Sequence, residues 1–158
     1  MPFLDSSYNL SLYSIPATYV LGMATHISAV RLAANSSELP NFDNTAPRQC
    51  LARIQALADK SADARQYLRA EAAQLNIFEG LGVYSAALLA GNWARLPISF
   101  LNKAAAAYVA LRVAFAVLYV KTDQEKYTTL RSATWFASSG VVLSLIVKAS
   151  NQINKALW

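Results

Sequence analysis

One cysteine, one histidine, five glycines and five prolines are all that the 158 residues hold of these types. A lone Cys50 can neither close an internal disulfide nor build a thiolate zinc site, and a lone His26 excludes a multi-histidine metal centre. Pro and Gly are too scarce for a fibrous or low-complexity chain, and no segment repeats at a fixed period. Charge is scarce too: 15% of residues are Asp, Glu, Lys or Arg, and none occurs from Ser6 to Val30. The fourteen Lys and Arg give a net charge of +5 but are scattered along the chain. That distribution argues against a nucleic-acid partner. The amino terminus carries Asp5 where a secretory leader would carry basic residues, and its apolar stretch is long for a leader.

What the chain has in excess is apolar surface, with 55% hydrophobic residues and a mean hydropathy of +0.27. This exceeds the share in an average soluble domain and points to a membrane protein. Stretches long enough to cross a hydrocarbon core of about 30 Å occur at 10–34, 66–91, 98–120 and 127–149. The expectation is an all-α, single integral membrane domain over 1–158: a four-transmembrane-helix, up-down-up-down bundle. Pro16 lies inside the first span, where neighbouring groups must satisfy a freed carbonyl. Gly91-Asn92 reads as a stop for the second helix and Pro97 as the start signal for the third. Ala104 to Ala107 give the third helix small side chains that permit close approach. Between the first two spans, the loop 35–64 is turn-rich at Asn35-Ser36-Ser37 and Pro40. It then becomes amphipathic, with Leu51, Ile54, Leu57 and Ala58 at helical spacing. It reads as a surface connection with a short helix packed on the bundle, the alternative being a lid over a membrane-facing site. Six Lys and Arg from Arg31 to Arg69, with Lys121, Lys126 and Arg131, share one side, against four on the other. The richer side is expected to be cytosolic, with both termini on the opposite face. Trp93 and Trp158, near span ends, read as interfacial anchors.

Polar residues inside the spans are the candidates for function, because an ionisable group in hydrocarbon is costly unless paired or used. Asn76 and Glu79 lie three residues apart on the second helix, roughly 16 to 21 Å in from the cytosolic end at helical rise. Arg112 on the third helix lies roughly 13 Å deep from the same side. The matching depth predicts a Glu79–Arg112 pair with Asn76 adding hydrogen bonds. Tyr119 is two turns beyond Arg112 on the same face, and Arg131 and Ser132 open the fourth helix on the same side. Together they describe a basic, hydrogen-bonding pocket for an anionic ligand entering from the cytosol; the alternative is a structural network that fixes helix register and oligomeric state. His26 reads as a packed or hydrogen-bonded residue and Cys50 as an ordinary thiol.

At Asn76-x-x-Glu79, at Arg112 with Tyr119, and at Leu130-Arg131-Ser132 the chain resembles the MAPEG family, the membrane-associated proteins in eicosanoid and glutathione metabolism. The resemblance covers roughly 65–149, and Ala70, Ala73 and Gly80-Leu81-Gly82 are most similar to fungal members. It implies a four-helix subunit resembling a microsomal glutathione transferase, a homotrimer, and a site between subunits where glutathione meets a lipophilic electrophile. It also implies an endoplasmic reticulum membrane location with the site towards the cytosol. Carried over by position, Asn76, Glu79, Arg112, Tyr119 and the nearby Arg69 are the expected glutathione-binding residues. Arg131 and Ser132 are the expected catalytic pair, one stabilising a thiolate by charge and the other donating a hydrogen bond to it. Two positions depart from the family pattern. Ala72 stands where glutathione-using relatives usually carry Arg, and the segment between Tyr119 and Arg131 is about three residues longer than in prostaglandin-synthase-like members, within the range such loops tolerate.

Three functions follow as expectations. The first is a membrane enzyme acting on a lipophilic small molecule through glutathione, as a transferase, peroxidase or isomerase. The second is a glutathione-independent cyclase or isomerase of specialised metabolism, motivated by Ala72 and an apolar wall of Phe115, Trp135 and Phe136. The third is a non-catalytic scaffold or lipid-binding subunit.

Overall fold

The computed structural model describes residues 8–157, with side chains through 155; Trp158, expected as an anchor, lies outside them. Five helices follow in order: α1 (Ser14–Asn35), α2 (Pro47–Gln55), α3 (Ala62–Trp93), α4 (Ile98–Lys121) and α5 (Thr128–Leu157). Single 3-10 turns precede α1 and α5, at Ser11–Tyr13 and Glu125–Tyr127. No strand occurs among the described residues. The four long helices match the four predicted stretches, with α3 starting earlier and α5 running eight residues past 149.

The helices assemble about α3, which packs against α1, α4 and α5, while α4 packs against α5. α1 turns a stripe of small residues to its neighbours: Ser14, Thr18, Gly22, Thr25, Ala29 and Ala33, all buried. Spacings of three and four keep them on one face, and their size lets backbones approach closely. The approach is tightest at Gly22, where a Cβ would stand 2.6 Å from Cε1 of Phe78. Pro16 falls in the first turn of α1, where its missing N–H has no intrahelical partner to lose.

Sequence alone placed the end of α3 at Gly91-Asn92, but the helix continues through Trp93. Gly91 remains helical and buried, because a side chain there would press on Leu96 and Leu101. The chain turns instead at Arg95, whose φ of 54° is left-handed. Leu96 N–H donates to Gly91 C=O at 3.1 Å and Arg95 N–H to Asn92 C=O at 3.0 Å. These are the two bonds of a Schellman cap, with arginine where glycine is usual.

The 36–61 connection packs on the bundle. Leu39, Cys50 and Ile54 are buried with Ala29, Ala33 and Tyr67, and burying an Ile or Leu contributes about 1.5–3 kcal/mol. α2 is shorter than the apolar spacing suggested: it ends at Gln55, leaving Leu57 and Ala58 half-buried in the following turns. Pro47 opens it at its first position. Asp43 organises the preceding turn by accepting from the hydroxyl and N–H of Thr45, and these bonds hold its carboxyl below the usual range. Ser61 caps α3 by accepting from the Ala64 N–H and donates to Glu38 at 2.5 Å, tying connection to helix.

Two helices, α4 and the segment from Glu125 to Lys155, are long and apolar enough to cross a membrane, and only 33% and 17% of their most apolar windows are buried. Large apolar side chains therefore face outward, among them Phe136, Leu143 and Val147 on α5 and Trp93 on α3. Surface of this kind is what a lipid or another subunit covers.

Candidate functional site

Arg112 is 4% exposed in the middle of α4, and its partners define the site. Its Nη1 donates to Asn76 Oδ1 on α3 at 2.9 Å, and its Nε donates to the Tyr108 hydroxyl, one turn earlier on α4, at 3.2 Å. The guanidinium carbon lies 5.4 and 5.6 Å from the ring centroids of Tyr108 and Phe115, within cation–π range. Beneath it lies Gly80, where a Cβ would stand 2.0 Å from Nη2. Tyr108 in turn stacks on Tyr84 of α3 at 3.6 Å with the planes 7° apart, and the Tyr84 and Ser14 hydroxyls hydrogen-bond at 2.5 Å.

The expected Glu79–Arg112 pair does not form. Among the described residues no carboxylate lies within 4.0 Å of Arg112, and the one contact of this kind joins His26 Nδ1 to Glu71 Oε1 at 2.8 Å. The reason is angular. Residues four apart on a helix are offset by about 40°, those three apart by about 60° in the other sense. Asn76 and Gly80 together face Arg112, which turns Glu79 outward to an exposed position. His26 is hydrogen-bonded, as its solitary place on an apolar helix suggested.

Two cavities lie between α3, α4 and α5, and Arg112 lines the larger of them. The larger, about 340 Å³, is lined by Asn76, Glu79, Gly80 and Arg112, with Val83, Val142 and Leu143 supplying apolar wall. Ser138 and Ser139 also line it, and both hydroxyls donate to the Trp135 carbonyl at 2.8 and 3.0 Å, leaving acceptor capacity alone for the cavity. The smaller, about 240 Å³, is lined by Tyr119, Arg131, Ser132, Phe115 and Phe136. Asn76 and Trp135 belong to both and form the partition. The Arg131 guanidinium carbon sits 4.3 Å from the Tyr119 ring centroid, so the two predicted residues from α4 and α5 meet by a cation–π contact. Of the seven predicted site residues, Asn76, Glu79, Arg112, Tyr119, Arg131 and Ser132 line these cavities. Arg69 lines neither, since its Nε donates to the Val120 carbonyl at 3.3 Å near the end of α4.

Residues 12–151, nearly the whole chain, match the MAPEG family. The chain belongs to the MAPEG family. No curated protein and no solved structure matches it. MAPEG proteins are membrane-integral and include glutathione transferases and related enzymes, and the all-helical fold with two strongly apolar helices agrees with that class.

Glutathione is a peptide with two carboxylates and a thiol. Among the described residues neither Arg112 nor Arg131 has a carboxylate within 4.0 Å, and Nη2 of Arg112 has no protein acceptor. Two cationic forks without counter-charge suit a peptide with two carboxylates and an ionisable thiol, so the residues fit the cofactor this MAPEG family commonly uses. Sequence reasoning missed Tyr108, Gly80, Ser138 and Ser139. Tyr108 was legible in principle, being four residues before Arg112, and Gly80 is four after Asn76; both share a face with a residue already singled out.

Proposed function

We propose that this MAPEG protein is a homotrimeric, four-span enzyme of the endoplasmic reticulum membrane. In this reading its site faces the cytosol, and it uses glutathione on a lipophilic small molecule by conjugation, peroxide reduction or isomerisation. The single observation that carries the reading is Arg112, buried with only neutral partners beside a cavity, which favours an anion over an empty apolar site. Glutathione, when bound, supplies the thiol. Arg112 and Asn76 hold carboxylate and amide groups of the peptide, Glu79 its amine, and Tyr119 the wall beside Arg131. Arg131 lowers the cost of a negative sulfur by charge and Ser132 by donating a hydrogen bond. Arg69 contributes through a partner subunit or not at all, given its bond to Val120.

Purified protein given glutathione and a panel of hydrophobic electrophiles and hydroperoxides should turn over, with Arg131→Ala strongly impaired. Complete inactivity together with no detectable glutathione binding rejects the reading. A second reading, a glutathione-independent cyclase or isomerase of specialised metabolism, is favoured by Ala72 and by the aromatic wall of Phe115, Trp135 and Phe136. Activity that persists in a glutathione-depleted host yet falls in Arg131→Ala would select it.

A further inference from the structure

We propose that Tyr108 is the positioning residue of this site, holding the Arg112 guanidinium in the orientation that turns its free edge to the ligand; this rests on the reading of Arg112 as an anion anchor. Its hydroxyl accepts from Nε of Arg112 at 3.2 Å, while Asn76 on the neighbouring helix accepts from Nη1 at 2.9 Å. A guanidinium carries its five N–H groups in one plane, so fixing Nε and Nη1 fixes the direction of Nη2. Nη2 rests against Gly80 and has no protein acceptor among the described residues.

Tyr108 can hold the arginine because it is itself held. Its ring stacks on Tyr84 at 3.6 Å, and Tyr84 is tied to Ser14 on α1. Three helices thereby determine where one hydroxyl stands. An arginine ordered in advance gives up less freedom when a ligand arrives, which raises affinity without adding a contact. The phenol ring accounts for packing and only the hydroxyl for orientation, so removing the oxygen separates the two roles.

The experiment is Tyr108→Phe in the full-length protein, read by thermal stability, by glutathione affinity and by the Arg112 Nε–H resonance in protein labelled with 15N-arginine. Stability should fall only by the loss of the one Arg112 Nε hydrogen bond, because ring and stack remain. Glutathione Kd should weaken about tenfold, the scale of one hydrogen bond to a charged group. The Nε–H, slow to exchange in the wild type, should exchange fast in the variant. Gly80→Ala, which displaces the same guanidinium from the other side, should give the same two changes and serves if Tyr108→Phe folds poorly. Ser61→Ala, at the α3 cap and outside this chain of contacts, should lower stability and leave glutathione affinity unchanged. A wild type that binds no glutathione, yet loses a protected Nε–H in Tyr108→Phe, would refute the cofactor reading and support the positioning role. Unchanged affinity in Tyr108→Phe, or lost affinity with the Nε–H unmoved, would overturn the proposal.

Discussion

Gly80→Ala pits helix propensity against the site. In a helix interior alanine is favoured over glycine by about 1 kcal/mol, so propensity alone predicts a more stable protein. At this position the new methyl would stand 2.0 Å from Nη2 and 3.2 Å from Cζ of Arg112. The guanidinium would have to retreat by about 1.4 Å to reach an ordinary contact near 3.4 Å. Bonds of 2.9 Å to Asn76 and 3.2 Å to Tyr108 cannot both survive such a shift within hydrogen-bond geometry. Each bond from a charged donor is worth about 1.5–3 kcal/mol, so losing one or both outweighs the propensity gain of about 1 kcal/mol and leaves a net loss of about 0.5–5 kcal/mol. Gly82, two residues along α3, is the internal control, because a Cβ there meets nothing within 4 Å. Gly82→Ala should be neutral or stabilising by up to about 1 kcal/mol. Unfolding of both variants in detergent, with glutathione affinity measured alongside, gives the comparison. If Gly80→Ala is as stable as Gly82→Ala and binds ligand as the wild type does, the berth assigned to Arg112 is wrong.

Other outcomes follow from single features. Arg95→Gly relieves a left-handed residue at the cap of α3 and should raise stability by about 1 kcal/mol in thermal unfolding. Ser61→Ala removes both the α3 cap and the bond to Glu38 and should cost about 1 kcal/mol, with faster proteolysis in the 36–61 connection as a second readout. Arg131→Ala should lower glutathione-dependent turnover by about 100-fold, the scale of one electrostatic stabiliser, while unfolding changes little because Arg131 is only half-buried.

The four long helices were legible because long apolar runs in so small a chain fold as helices, and two of them, α4 and the segment from Glu125 to Lys155, are apolar enough to cross a membrane. The depth match that brought Asn76 and Arg112 together held at 2.9 Å, since helical rise per residue is nearly constant. Rotation is harder to read than depth. Glu79 shares a general face with Asn76, but which of the two meets Arg112 depends on tens of degrees, and packing of α3 against three helices sets that angle. The α3 terminus was misplaced for a related reason: Gly91 looks like a cap in sequence, yet tertiary contact with Leu96 and Leu101 is what selects glycine there. Arg95 carries no left-handed signal in its chemistry, and only the Pro97 that follows hinted at the turn.

The failure of the Glu79 pair changes what Arg112 can do. A guanidinium matched with a carboxylate inside the bundle would already be neutralised, and a second anion would have to displace the first. With Asn76 and Tyr108 as its protein acceptors, the desolvation cost of several kcal/mol is only partly offset, since two hydrogen bonds to neutral groups restore no opposite charge. The deficit remains available to whatever anion enters, and it is larger in a low-dielectric bundle than in water. Glu79, turned aside but lining the same cavity, can then meet a cationic group instead of cancelling the arginine. Opposite charges held apart at one cavity favour a ligand that carries both signs, and the angular offset between positions 76 and 79 is what keeps them apart.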